Sequence, residues 1–139
     1  MKISKPEYDK ISGQAIKGHP DEICGLLIGS VVNGNERVVK ATFQARNTNN
    51  ERAHDRFELH PDDYLSADKF ARDNKMEIVG VYHTHPDSPA RPSKYDRERA
   101  WEGFSYLIIR VDKDKITEAK SWFLKDQDSE FDEEPFVVE

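Results

Sequence analysis

The segment "EIVGVYHTHPDSPARPSKYD", residues 77–96, decides how this chain folds. Its first part, 77–85, is an apolar run that predicts a strand of the core. Residues 86–92 hold three prolines. They predict a stiff loop that reverses the chain at low entropic cost. "SKYDRERAW" then predicts a short helix, with Ser93 as N-cap and Asp96 in the first turn. Side chains alternate along a strand, so His83 and His85 share one side and Thr84 faces the other, where it is expected to pack.

Two neutral imidazoles at the end of an apolar strand are costly to bury without partners. A zinc ion suits them, bound by ring nitrogens at about 2.0–2.1 Å. The loop returns Asp96 to the same place as a third ligand. Two histidines, one carboxylate and one open position make a catalytic site and not a structural one. The open position would hold a water with a pKa lowered to about 7. The plainer reading also stands: His-x-His can be two hydrogen-bonded residues at a strand end, and Ser93-x-x-Asp96 taken alone is a helix cap. The two readings do not compete, since Ser93 can start a helix and still offer its hydroxyl to the site.

Upstream, "SKPEYDKISGQAIKG" predicts a helix. Ser4 and Glu7 have capping-box spacing, Pro6 lies in the first turn, and Tyr8, Ile11, Ala15 and Ile16 follow at helical spacing. Gly18 and Pro20 stop it. "EICGLLIGSVV" (22–32) and "RVVKATFQAR" (37–46) predict two core strands joined by an Asn33-Gly34 hairpin turn. "NTNNERAHD" is a polar loop, and "RFEL" a short strand. A second helix starts at Pro61 and runs to about Asn74, with Tyr64, Leu65 and Phe70 as its expected core face. "FSYLIIRVD" and "ITEAKSWFLKD" predict a final hairpin. The fold class is α/β (α+β), one domain over residues 1–126 with a mixed sheet and helices packed against it. Residues 127–139 form an acidic tail that is either solvated or adds a last strand through "FVVE", and it carries no residue needed for chemistry.

Composition narrows the function classes. The 139 residues are 36% hydrophobic and 35% charged, with net charge −6. Seven carboxylates and no Lys or Arg lie in 126–139, leaving 21 basic against 20 acidic residues in 1–125. A near-neutral body with an acidic tail lacks the basic stripe that nucleic acid needs. No apolar run is long enough to span a membrane, and the N-terminus lacks a signal segment. The single cysteine, Cys24, permits no internal disulfide and favours the cytoplasm. It is expected to be a buried, inert thiol. His19, His54 and His60 are expected at the surface, and Tyr95 and Trp101 in the packing of the short helix.

His83, His85, Ser93 and Asp96 spell H-x-H-x7-S-x-x-D, with Pro86 after the second histidine. This resembles the JAMM, or MPN-plus, metalloprotease family, in its compact bacterial and archaeal form. "DEICGLLIG" supplies Glu22 where that family places an upstream glutamate, and the resemblance covers most of 1–126. It implies a fold similar to cytidine deaminases, a sheet sandwiched by helices. It further implies zinc held by His83, His85 and Asp96, with Glu22 as general base and Ser93 donating to the oxyanion. The implied substrates are amides after the C-terminal Gly-Gly of ubiquitin-like or sulfur-carrier proteins, with either an amino acid or a lysine-linked protein released. The alternative is a non-catalytic MPN scaffold, though such domains typically lack the metal ligands. A nucleobase deaminase would need two nearby cysteines in a P-C-x-x-C element, and the chain has one; a structural zinc site would need a fourth protein ligand. The polar loop 47–55 is the expected mobile wall beside a narrow groove for an extended tail.

Overall fold

The computed structural model describes residues 1–139 as β1 (Lys2–Ile3), α1 (Lys5–Gly18), β2 (Cys24–Val32), β3 (Glu36–Ala45), α2 (Pro61–Asp73), β4 (Glu77–Pro86), α3 (Lys94–Arg99), β5 (Ser105–Asp112), β6 (Lys115–Phe123), β7 (Asp132–Glu134) and β8 (Val137–Val138). The strands form one mixed sheet in the order β7-β6-β5-β4-β2-β3-β1-β8. β4 sits near its middle, antiparallel to β2 and parallel to β5. "RFEL" makes no strand; Leu59 contributes only an isolated bridge to Asn47. No helix is long and apolar enough to cross a membrane.

The helices cover both faces. On one, Ile11 and Ala15 of α1 join Ile3, Leu27, Val39, Val79, Tyr82, Leu107 and Ile109. On the other, Ala67 and Ala71 of α2 join Leu26, Ile28, Val81, Tyr106 and Leu124. The core face of α2 is therefore not the expected one. Leu65 and Phe70 are exposed; of the expected face only Tyr64 packs, half-buried, against this cluster, and the fully buried residues of the helix are the methyl-sized Ala67 and Ala71. Small side chains let the helix lie close to the sheet. Ile16 of α1 is also exposed. Ser4 caps α1 by position but makes no side-chain cap bond. Glu7 instead accepts from Thr42 N–H and Oγ1–H at 2.7 and 3.0 Å, a cross-element tie in place of the capping box.

A β-bulge in β4 sets the side on which the histidines emerge. Leu27 pairs with Gly80 and Ile28 with Ile78, so Val79 is an extra residue. The insertion reverses the alternation, and Val81, His83 and His85 all face α2 and α3. Gly80 is required there, because a Cβ would lie 2.1 Å from the Ser105 carbonyl oxygen.

The tail adds strands at both edges. β7 pairs with β6 and β8 with β1, although only Pro135 and Phe136 separate them. The curled sheet is thus strapped across its two edges. Glu134 accepts from Ser105 Oγ at 2.6 Å and Ser121 Oγ at 2.8 Å, and lies 3.8 Å from both Arg37 Nη1 and the Met1 amine. Arg97 of α3 donates to the carbonyls of Gln127 and Ser129 at 2.7 and 2.9 Å. Of the two fates the sequence left open for the tail, the structure takes the strand, and adds a second.

Candidate metal centre

β4 delivers His83 and His85 fully or nearly buried, at 0% and 6% exposure. Ser93 and Asp96 form a reciprocal capping box: Asp96 N–H donates to Ser93 Oγ at 3.0 Å, and Ser93 N–H to Asp96 Oδ2 at 2.9 Å. That box turns the carboxylate inward. Asp96 Oδ2 lies 3.3 Å from His83 Nε2 and 3.0 Å from His85 Nε2, and the two Nε2 atoms are 3.3 Å apart. Ser93 uses its hydroxyl oxygen as an acceptor, so its proton is free to donate elsewhere.

The three-atom cluster fits a tetrahedral ion. Bonds of about 2.0–2.1 Å place neighbouring ligand atoms about 3.3 Å apart. His85 Nδ1 lies 2.7 Å from the Pro89 carbonyl, which can only accept, so Nδ1 carries the proton. Nε2 of the neutral ring then presents a lone pair to a carboxylate and to another imidazole. His85 Nε2 and Asp96 Oδ2 are then two acceptors 3.0 Å apart, and such a pair calls for a cation between them. Phe57 stacks on His83 at 4.4 Å and 27° and closes that side to water.

Glu22 lies two residues before β2, whose first residue, Cys24, is opposite His83 in the ladder. It is 5% exposed, and its Oε1 has no hydrogen-bond partner. Ligand atoms of Glu22, His83 and His85 lie within 4.8 Å of one another. Two donor sets are therefore available, the histidines with Asp96 or with Glu22, and the direct 3.0–3.3 Å contacts favour Asp96.

The two carboxylates are pushed in opposite directions. Burial raises the Glu22 carboxyl to about 8; His85 works against this rise, and Asp96 and Asp55 add to it. Burial also works upward on Asp96, but His83, His85 and the Ser93 N–H outweigh it and hold the group far below the usual carboxylate range. Burial drives His83 down, while Asp96 and the Pro89 carbonyl keep His85 raised against its own burial. Cys24 is wholly buried and its thiol pushed up to about 12 by burial, an inert group. His54 is exposed, His19 pairs with Asp87 at 3.1 Å, and His60 caps α2. The guanidiniums of Arg56 and Arg99 lie over the Tyr95 ring, and Trp101, though 48% exposed, packs edge-on against Tyr64 and Phe104.

Three contributors escaped the sequence reading. Thr84 does more than pack: its Oγ1 accepts from Ile23 N–H at 2.9 Å and its N–H donates to the Ile23 carbonyl at 3.1 Å, extending the ladder next to Glu22. Asn47 donates to the Glu22 and Arg56 carbonyls and accepts from the N–H groups of Asn49 and Glu58. With Glu22 N–H bound to the Ala53 carbonyl, this bolts the 47–59 loop to the glutamate. The third is Phe57. An asparagine at a strand end and a buried hydroxyl were the available signals; nothing local marks Phe57. Of the polar loop 47–55 only Thr48 lines the groove of about 640 Å³; Phe57 and Leu59, which follow it, stand with Tyr95 and Trp101 around His83 and Asp96.

A single α+β domain that gathers two imidazoles and two carboxylates at the end of its central strand is an architecture of the JAB/MPN kind, with donor atoms placed close enough to hold a metal ion. The chain belongs to the prokaryotic homologs of the JAB domain, whose family model matches residues 4–125. It is 38% identical over 117 residues to a desampylase of Haloferax volcanii, a match covering 81% of each chain. A solved protein from Desulfitobacterium hafniense superposes with TM-score 0.85 at 31% identity, over 99% of this chain and 92% of that one. A JAB1/MPN domain protein from Archaeoglobus fulgidus gives TM-score 0.59 at 25% identity over the whole of both chains. The family that the sequence resembles is thus its own.

Proposed function

We propose that this chain is a zinc-dependent isopeptidase that hydrolyses the amide bond after the C-terminal Gly-Gly of a ubiquitin-like or sulfur-carrier protein, and that it acts in the cytoplasm. The observation that carries the reading is the meeting of His83 Nε2, His85 Nε2 and Asp96 Oδ2 within 3.3 Å beside a buried, unpartnered Glu22. Similarity to a desampylase supports the substrate class. His83, His85 and Asp96 are the ligands and Glu22 is the base. Asp96 stays ionised, as a ligand must, while Glu22 has the higher proton affinity that general-base work requires. Zinc, when bound, supplies Lewis acidity toward water and the scissile carbonyl.

Glu22 takes a proton from the attacking water and returns it to the leaving nitrogen. Ser93 donates its free O–H proton to the oxyanion as the carbonyl becomes tetrahedral. Phe57 and the apolar face of Val81 exclude bulk water and strengthen these interactions. The carrier tail lies extended in the groove beside His83 and Asp96. Glycine suits that position because it has no side chain to meet the Phe57 and Tyr95 walls. The amine departs on the Glu22 side, where a second cavity of about 380 Å³ is lined by Gln44, Arg46 and Asn47.

The test is incubation of the zinc-loaded protein with ubiquitin-like carriers extended beyond Gly-Gly, with product masses as the readout. Cleavage directly after Gly-Gly is expected. An intact carrier should have a higher kcat/KM than its isolated C-terminal peptide, because two glycines offer little apolar area to bury. Failure on every Gly-Gly carrier would overturn the substrate assignment.

A further inference from the structure

We infer that Glu118 and Trp122, two β6 residues outside the metal-binding motif, are positioning residues that clamp the Ala90 peptide and so fix the tautomer of His85. The inference rests on the reading of His85 as a zinc ligand. A ligating histidine is oriented by what its other ring nitrogen meets, and such partners set the lone pair offered to the metal. For His85 that partner is the Pro89 carbonyl, at 2.7 Å from Nδ1. Pro89 is itself exposed, lies in a loop and has no N–H of its own with which to be held.

The next residue provides the anchor. Ala90 is wholly buried in the middle of this loop. Its N–H donates to Glu118 Oε1 at 2.8 Å, and its carbonyl accepts from Trp122 Nε1 at 3.0 Å. Both backbone polar atoms of one residue are therefore held by side chains four positions apart on one strand, which face the same side of the sheet. The register makes this possible: Arg110 of β5 pairs with His85 on one side and with Glu118 on the other, so Glu118 lies level with the ligand. The loop is also tied at its start, by Asp87 N–H to the Val111 carbonyl at 2.9 Å, and Arg91 N–H shares the Pro89 carbonyl at 2.8 Å. Neither of these bonds engages the Ala90 N–H or the Ala90 carbonyl oxygen. Without Glu118 and Trp122, a buried N–H and a buried C=O lose their partners, and the segment has to move toward water to recover them. The Pro89 carbonyl moves with it and His85 is free to exchange tautomers.

The experiment compares Glu118→Ala, Trp122→Phe, the double variant and Glu118→Gln with the native sequence. Zinc dissociation constants are measured by competition with a chromogenic chelator. The His85 tautomer is read in the metal-free protein by long-range proton–nitrogen NMR at about pH 9, where imidazole is neutral. Melting of the metal-free proteins checks the fold, and the single variants decide if the double does not fold. Zinc binding is expected to weaken about 10-fold in the double variant, the low end of outer-shell effects. His85 should pass from one tautomer, Nδ1–H, to a mixture. Glu118→Gln keeps an acceptor oxygen and should be native in both readouts, which separates the hydrogen bond from the charge. Folded Ala and Phe variants with native zinc affinity and a single Nδ1–H tautomer would overturn the clamp. A native protein that takes up no zinc would overturn the metal reading instead, while the tautomer measurement would still judge the clamp.

Discussion

Replacing Glu22 by Gln should make the metal-free protein more stable and the loaded enzyme nearly inactive. The native carboxyl is buried with an unpartnered Oε1, and its pKa is raised from 4.5 to about 8. A carboxyl that holds its proton more tightly when folded costs nothing below its unfolded pKa. The cost grows as pH rises above that value and levels off above the folded pKa, because the unfolded chain then binds fewer protons than the folded one. At 1.36 kcal/mol per unit, the native protein carries a cost of about 3 kcal/mol at pH 7 and less than about 1 kcal/mol at pH 5. Gln has the same shape and no proton to lose. Urea unfolding of both metal-free proteins at pH 5, 7 and 8.5 should therefore show the variant gaining on the native chain by about 4 kcal/mol between the lowest and highest pH. Zinc would stabilise the Glu22 anion and reverse the balance, so the gain should shrink on loading. In the same loaded protein kcat should fall by about 100-fold or more with the zinc retained, the usual loss when a general base is removed. A stability difference that does not change with pH would refute the claim that Glu22 is a destabilised buried carboxyl. Near-native kcat would refute its role as base.

Asp96→Asn should weaken zinc binding by more than about 100-fold, beyond the range of outer-shell changes, because the loss is at the ligand itself; chelator competition checks this. Deleting residues 127–139 should destabilise the protein and lower its zinc affinity, since it removes both edge strands and the two carbonyls that hold Arg97 on the helix bearing Asp96; a melt and a metal titration on the truncated chain test both. Glu134→Ala should cost about 3 kcal/mol in urea unfolding, the usual consequence of leaving a buried partner such as Arg37 uncompensated. Gly80→Ala should cost at least about 3 kcal/mol or prevent folding, because its new methyl meets backbone and not a flexible side chain.

The sequence by itself determined the parts whose partners are close along the chain. The strand, proline loop and helix of 77–96 follow from an apolar run, three prolines and a Ser-x-x-Asp cap, and His83, His85, Ser93 and Asp96 lie on the elements that local spacing gives them. The Asn33-Gly34 turn is legible for the same reason, with φ of 53° and 79° that the pair tolerates. Tertiary structure decided what depends on distant neighbours. Glu22 meets residues some 60 positions away only because β2 pairs antiparallel with β4; nothing beside it in the chain marks it as more than a polar strand start. The side on which the histidines emerge rests on one bulged residue, Val79, invisible in a strand that is apolar on both faces. Leu65 and Phe70 looked like core until the close approach of α2 to the sheet selected Ala67 and Ala71 instead. The acidic tail signals one strand, through "FVVE", but the three acidic residues of β7 signal none, and the tail finds its place only as the piece that straps the two edges of a curled sheet. Short-range pattern fixes what a segment becomes; which segment it meets is settled by burial and backbone pairing across the whole chain.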